Sequence, residues 1–122
     1  MMDGEKPNYR KLLVWQKAHQ NAILAIKLMD GCHMKYSRII GNVLSAATSI
    51  GANIAEGNSA FTSQEKKRYF RIALNSSYEF DNWLQILKDS DIISSNQTIL
   101  IEVENRNIEV IKLLSKLISN LS

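Results

Sequence analysis

Two polar side chains near the end of the second apolar run are the residues whose types and spacing could support chemistry. Asn53 and Glu56 lie in the stretch Ser49–Gly57, SIGANIAEG. A carboxylate can act as a general acid or base when a pocket raises its pKa, which requires both residues to line a water-filled pocket. The alternative, which we favour, is that both fasten a helix to its neighbours. Glu56 would then need a cationic partner such as Lys17 or Arg71, because the helix macrodipole disfavours a negative charge there.

The other reactive side chains form no recognisable catalytic or metal set. Cys32 and His33 are adjacent, and the only other histidine is His19. This is too few ligands for a structural zinc site, and a nucleophilic cysteine needs a base placed across a cleft. Glu79 and Asp81 are two residues apart on a predicted helix and point in different directions. We therefore predict a non-enzymatic protein with no cofactor, no metal and no small-molecule substrate.

A cluster of cations near the start of the third predicted helix invites a different function. The cluster is Lys66, Lys67, Arg68 and Arg71, and Lys17, Arg10 and Lys11 are candidate extensions of it. Cations at a helix N-terminus oppose the macrodipole. They form either a solvated face or a patch that neutralises nucleic-acid phosphates without reading sequence. The net charge of +3 permits contact with nucleic acid but does not require it.

Aromatic residues of the same helix allow two interpretations. Tyr78 and Trp83 could stack on single-stranded bases, or they could pack against another helix or subunit. We favour packing.

The elements that must position these residues are helices. Glycine is scarce, and Pro7 is the single proline in 122 residues. Long runs with helical periodicity predict one all-α domain, an antiparallel up-down four-helix bundle over residues 9–122 that follows a flexible tail over residues 1–8. The lone cysteine and the lack of a long apolar run favour the cytoplasm and argue against a membrane span.

The first helix is predicted to begin between Tyr9 and Leu13 and to run to about Met29. The second helix is predicted over roughly residues 37–56. We place the buried seam of the first helix at Leu12, Trp15, Ala22, Ile26 and Met29, with Ala18 and Ala25 beside it. The buried seam of the second helix is predicted at Tyr36, Ile40, Val43, Ala47, Ile50 and Ile54. Gly31 and Gly57 are expected to end these helices as C-caps, Gly57 in the left-handed conformation. Trp15 is interpreted first as an ordinary core tryptophan. If buried, its indole N–H needs a partner, which we expect near the end of the second helix, with Glu56 as one candidate.

The last two helices carry start signals. Thr62 and Glu65 form a capping box, with Phe61 as a hydrophobic staple, and Ser94–Gln97 offers a second box. The predicted core positions of the third helix are Phe70, Ala73, Ser77, Phe80, Leu84 and Leu87. The fourth helix is predicted to run to about Leu121, with Asn107 interrupting its apolar stripe. Wide apolar arcs on the first and third helices predict self-association.

Three stretches carry a family resemblance. They are Val14–Ala18 (VWQKA), Ser49–Gly57 with the pattern SIxxNIAEG, and Arg68–Leu74 (RYFRIAL) followed by Ser76 and Glu79. In this order they resemble the small four-helix-bundle proteins encoded in intervening sequences of bacterial large-subunit ribosomal RNA genes. The resemblance covers roughly residues 9–121. The chain departs from the pattern at Gly51, where the family commonly has proline, and at Asn75, where it commonly has glycine.

The resemblance implies properties that the residue pattern alone does not. Proteins of this family form closed rings, typically homopentamers. The fold is also similar to the accessory proteins of bacterial diversity-generating retroelements, which assist a reverse transcriptase and its template RNA. We therefore expect a homo-oligomer that binds RNA or a reverse transcriptase. In the alternative, the chain is a structural or protein-interaction module with no nucleic-acid role.

Overall fold

A computed structural model describes residues 7–93 and 97–121 of the chain. Within these ranges the chain forms α1 (Leu13–Met29), α2 (Ser37–Ser59), α3 (Ser63–Asp89) and α4 (Gln97–Ser119), with no strand. Two short 3-10 helices, Asn8–Lys11 and Met34–Tyr36, precede α1 and α2. Most of the predicted tail and most of the second capping box, Ser94 to Asn96, lie outside the described residues.

Each helix packs against two others. α1 contacts α2 and α4, and α3 contacts the same two helices, with α2 against α3 the most extensive pair. Because short connections join consecutive helices, neighbours run antiparallel. The predicted all-α, up-down four-helix bundle is confirmed. Within the described ranges, no helix is both long and apolar enough to cross a membrane.

The core runs along the centre of the bundle. The predicted positions of α3 are all buried, from Phe70 to Leu87, and Val43, Ala47, Ile50 and Ile54 of α2 are buried as predicted. Small residues let α1 and α2 approach closely: Ala18, Ala25, Ala46 and Ala47 are each at most 3% exposed.

The predicted seam of α1 was wrong in its rotation. The helix buries Val14, Ala18, Asn21, Ala25, Leu28 and Met29. Ile26, which was placed in the seam, is 49% exposed. The apolar arc of α1 is wider than one seam, so bulky residues at its edge suggested the wrong centre. Asn21 lies at the true centre and hides it, because a polar residue there does not look like core.

Two buried asparagines connect the helices across the core. Asn21 Nδ2 donates to the carbonyl oxygen of Val103 at 2.9 Å, and Asn107 Nδ2 donates to that of Ser77 at 2.9 Å. These bonds tie α1 to α4 and α4 to α3. Among the described residues, the Oδ1 atoms of both side chains have no hydrogen-bond partner. The interruption of the α4 stripe at Asn107 is therefore a specific contact that fixes the rotation of α4.

Two glycines that the sequence suggested as C-caps have different roles. Gly31 follows α1 with a φ of +79° and is the only positive-φ residue in the described ranges. Gly57 does not end α2, because the helix continues through it to Ser59. A Cβ at Gly57 would lie 2.6 Å from the ring of Phe70. Glycine is needed there because α3 packs an aromatic ring against the backbone of α2.

Candidate nucleic-acid interface

The turn between α2 and α3 is held from both sides. Ala60 N donates to the carbonyl oxygen of Gly57 at 3.3 Å, which closes the end of α2. Thr62 Oγ1 accepts a hydrogen bond from Glu65 N at 3.1 Å, so the Thr62 half of the predicted capping box is confirmed. The reciprocal bond from Thr62 N to the Glu65 carboxylate does not form among the described residues. The turn is therefore short and fixed in direction.

The side chain of Lys66 holds this turn together instead of being free to bind phosphate. Its Nζ donates to the carbonyl oxygens of Asn58 at 2.8 Å and of Gly57 at 3.4 Å. Both carbonyls lie at the C-terminus of α2, where a positive charge complements the macrodipole. Lys66 also explains why the predicted staple at Phe61 was wrong. A staple needs an apolar residue at the fourth helical position, but Lys66 occupies it, and Phe61 is 99% exposed.

Two of the next three cations of α3 face solvent. Arg68 and Arg71 are exposed, and Lys67 is half-buried. The Arg68 guanidinium lies 5.3 Å from the centre of the Tyr69 ring. Within the described part of the chain, no carboxylate lies within ion-pair distance of these three cations. Since residues three and four apart share a helix face, Arg71 lies beside both Lys67 and Arg68.

The clefts of the molecule locate the other residues at this end of the bundle. One open cleft of about 450 Å³ places Pro7 and Tyr9 beside Glu56 and Asn58 at the end of α2. Another of about 220 Å³ places Leu13 at the start of α1 beside Lys116 near the end of α4. The start of the described chain, the α2–α3 turn and the end of α4 therefore meet at one end, which we call the basic end.

Cations exceed carboxylates at the basic end. The cations there, among the described residues, are Arg10, Lys11, Lys66, Lys67, Arg68, Arg71, Lys112 and Lys116. The exposed carboxylates near them are Glu56 and Glu65, together with Glu109, which lies near Lys112. At the opposite end, around residues 27–38 and 88–91, cations and carboxylates are nearly equal in number. Sequence reasoning missed Lys112 and Lys116, because only the antiparallel packing of α4 brings them to this end.

The candidate extensions of the patch separate into two groups. Arg10 and Lys11 are exposed on the 3-10 helix at the basic end, and the Arg10 guanidinium lies 5.9 Å from the centre of the Tyr9 ring. Lys17 is instead paired with Glu109 of α4 at 2.7 Å. The Lys17 ammonium holds the pKa of Glu109 below its usual value, first by a hydrogen bond and then by charge attraction. Lys17 is therefore neutralised and lies on the α1–α4 side.

The SIGANIAEG stretch forms a packing contact. Asn53 Nδ2 donates to the carbonyl oxygen and the Oγ of Ser49 at 2.9 and 3.1 Å. Ser49 Oγ lies 3.0 Å from Ser76 Oγ, so the network links α2 to α3. Glu56 is exposed and lines the cleft beside Tyr9, whereas Asn53 is not among the residues that line it. The predicted ion pairs of Glu56 with Lys17 or Arg71 do not form among the described residues.

Trp15 lies in a groove between α1 and α2. Its ring stacks on His19 at 4.7 Å between centroids, and the Tyr9 ring meets it edge-on at 5.1 Å. In the described structure, its indole N–H does not bond Glu56, and Nε1 lies 3.5 Å from where a Cβ of Gly51 would be. The predicted Trp15–Glu56 bond was therefore wrong. The groove has a volume of about 330 Å³ and a floor of small residues such as Ala18 and Ala47.

Three predicted residues of α3 lie away from the basic end. Glu79 is exposed on the outer face of the helix. Tyr78 is 53% exposed, whereas Trp83 packs half-buried against the core. Only Tyr78 of the two aromatic candidates therefore presents a free ring.

Comparisons with known proteins agree on one family. The family model described as 23S rRNA-intervening sequence protein matches residues 10–116, from the 3-10 helix before α1 into the last turns of α4. A crystal structure from Bacteroides thetaiotaomicron, described as a protein with unknown function from the S23 ribosomal protein family, superposes with a TM-score of 0.78. The two chains are 25% identical, and the match covers 88% of this chain and 96% of that one. No curated protein matches the sequence.

Proposed function

Because this chain belongs to the 23S rRNA-intervening sequence protein family, we propose that it is a non-enzymatic, ring-forming protein that binds RNA through the basic end of its bundle. The observation that carries this proposal is the excess of cations over carboxylates at that end. Lys67, Arg68 and Arg71 are its centre, because they have no carboxylate within ion-pair distance in the described structure. Such cations bind phosphates by charge and release counterions.

Self-association multiplies the effect of a small patch. Exposed isoleucines give three helices apolar outer faces, namely Ile23 and Ile26 on α1, Ile72 and Ile86 on α3, and Ile101 and Ile108 on α4. Burying these faces between copies would stabilise a ring. Cyclic symmetry repeats the basic end in every copy, so a long polyanion meets several patches at an effective concentration set by the ring.

The test is RNA binding measured by fluorescence anisotropy across a salt series, with the oligomer mass measured on the same sample. Each phosphate neutralised on a single strand contributes about 0.7 to the slope of log K against log salt. Replacing Lys67, Arg68 and Arg71 together by glutamine should therefore reduce the slope by about 2 for each engaged protomer. Lys66 is left in place, because its ammonium caps α2.

A matched control removes the same charge from the opposite end. Lys27, Lys35 and Arg38 lie there, and Lys27 and Arg38 are exposed on α1 and α2. Their replacement by glutamine should leave the slope within about 0.5 of the unchanged protein, since that end contacts no phosphate. Equal losses in the two triple variants would mean that net charge, not the basic end, attracts RNA.

The second candidate is a protein-interaction module whose partner handles nucleic acid, such as a reverse transcriptase. The groove between α1 and α2 favours it, because an aromatic cluster of Tyr9, Trp15 and His19 borders an apolar floor. Recognition through apolar contacts depends weakly on salt. Absence of RNA binding at low salt, with the oligomer intact, would favour this candidate.

A further inference from the structure

We propose that Phe61 is a base-stacking platform, and that the basic end therefore selects single-stranded over double-stranded RNA. The inference rests on the proposed RNA-binding function and names the class of RNA that the same end takes. It depends on the exposure of Phe61, on the rigidity of the turn that carries it, and on the chemistry of its neighbours.

Phe61 is the most exposed large apolar side chain among the described residues, at 99%. A phenyl ring in water contributes nothing to the core. Ala60, directly before it, is half-buried, whereas the nearby Ser59, Thr62 and Ser63 are exposed and polar. The ring is thus an isolated aromatic in polar surroundings, unlike the exposed isoleucines, which repeat along helix faces.

The turn fixes the backbone that carries this ring. On one side, Lys66 Nζ binds the carbonyl oxygen of Asn58 at 2.8 Å, which ties α3 back to the end of α2. On the other side, Thr62 caps α3 through Glu65 N at 3.1 Å, and Lys66 N donates to the Thr62 carbonyl oxygen at 3.0 Å. Phe61 lies between these anchors, so only its own two side-chain torsions remain to be fixed by a ligand. Such preorganisation lowers the entropic cost of binding.

Cations lie in the first turns of α3, the helix that follows Phe61. At a rise of about 1.5 Å per residue, Arg68 and Arg71 lie roughly 8 and 12 Å along α3 from its first residue. An aromatic ring beside cations that track a backbone is the arrangement by which proteins hold single strands. Bases of an A-form duplex are stacked inside it and do not offer a face to such a ring.

The alternative to a nucleobase on an exposed aromatic ring is a second copy of the chain, which would pack against the ring. The buried centres of subunit interfaces are apolar and depleted of charge. Phe61 has instead exposed hydroxyl residues nearby on both sides, namely Ser59 and Thr62, and four cations lie downstream of it, from Lys66 to Arg71. The observations therefore favour a nucleobase.

The experiment titrates the full-length protein into an unstructured single-stranded RNA that carries 2-aminopurine, and into a blunt duplex of equal length. Phe61→Ala should weaken single-strand binding about tenfold or more. It should abolish the fluorescence change of 2-aminopurine that stacking causes. It should leave duplex binding and the salt slope unchanged, since no charge is lost. Phe61→Trp should retain both affinity and the fluorescence change, whereas Phe61→Leu should retain neither in full.

Met34→Ala is the matched control, because Met34 is 84% exposed at the opposite end of the bundle. It should change no binding parameter. Unchanged single-strand affinity in Phe61→Ala, together with loss of affinity in the Lys67/Arg68/Arg71 variant, would overturn the stacking role and leave the proposed function intact. Unchanged affinity in both variants would overturn the proposed function as well. A fall in oligomer mass on Phe61→Ala would show that the ring is a subunit contact and would also overturn the inference.

Discussion

Replacing Gly57 by alanine tests how closely the Phe70 ring of α3 packs against the backbone of α2. In the interior of an exposed helix, glycine to alanine stabilises by about 0.8–1.0 kcal/mol through helix propensity. At Gly57 the new Cβ would lie 2.6, 2.8 and 3.2 Å from three carbons of the Phe70 ring. Phe70 is 3% exposed, so its ring has little room to move. Overpacking of this kind costs roughly 1–3 kcal/mol, and more where the backbone must shift.

The two effects oppose each other, and the steric effect should exceed the propensity effect. We expect Gly57→Ala to lower the free energy of unfolding by up to about 2 kcal/mol, measured by urea denaturation at one protein concentration. Gly41→Ala is the matched control in the same helix, because nothing lies within 4 Å of its Cβ position. It should raise the free energy of unfolding by about 0.5–1 kcal/mol.

A second substitution identifies the cause. Phe70→Leu removes the ring, so adding Gly57→Ala to it should cost about 1 kcal/mol less than adding it to the unchanged protein. An equal cost in both backgrounds would point to a left-handed Gly57 instead, because backbone strain does not depend on Phe70. A stabilising Gly57→Ala would refute the close packing of α3 on α2.

Two further predictions concern polar contacts between helices. Asn107→Ala should lower the free energy of unfolding by about 2–3 kcal/mol, because it removes the bond to Ser77 and leaves a void. Asn107→Leu should cost less in the same denaturation assay, because both variants remove the unpartnered Oδ1 but only leucine fills the void. Equal losses in the two variants would mean that the void contributes nothing to the cost. A hydrogen bond from Gln85 and, to a lesser degree, Lys88 lowers the pKa of Glu104 below its ordinary value of 4.5. Its contribution to stability is therefore complete above that value and is lost as pH falls through the lowered pKa. The stability difference between the unchanged protein and Glu104→Gln, followed by urea denaturation, should shrink from pH 6 to about pH 3, and a constant difference would contradict this role.

The fold could be predicted from the sequence because helix-breaking residues are rare and apolar residues keep a helical period over long runs. All six predicted core positions of α3 are buried, because its apolar residues follow the helical period closely. Ser76, which is also buried, was not predicted. The rotation of α1 was not, because its apolar arc is wide and Asn21 occupies the buried centre. Gly57 was misread for a similar reason. Sequence shows a glycine near a helix end, but only the packing of Phe70 shows why the helix continues through it.

The candidate site could be predicted in part. The cations of α3 could be read from the sequence. Which cations are held by other parts of the protein, and which have no carboxylate partner, could not. Lys66 caps α2 and Lys17 pairs with Glu109, both through contacts that join separate helices. Lys116 comes to the basic end only because α4 runs antiparallel to α3. A local sequence pattern carries charge and periodicity, whereas partner choice depends on tertiary packing.

The most direct test of the RNA-binding proposal is the salt dependence of binding to single-stranded RNA. The account predicts binding that weakens steeply with salt, and a slope that falls by about 2 per engaged protomer in the Lys67/Arg68/Arg71 variant but not in the opposite-end control. No binding at low salt by an intact oligomer would contradict it.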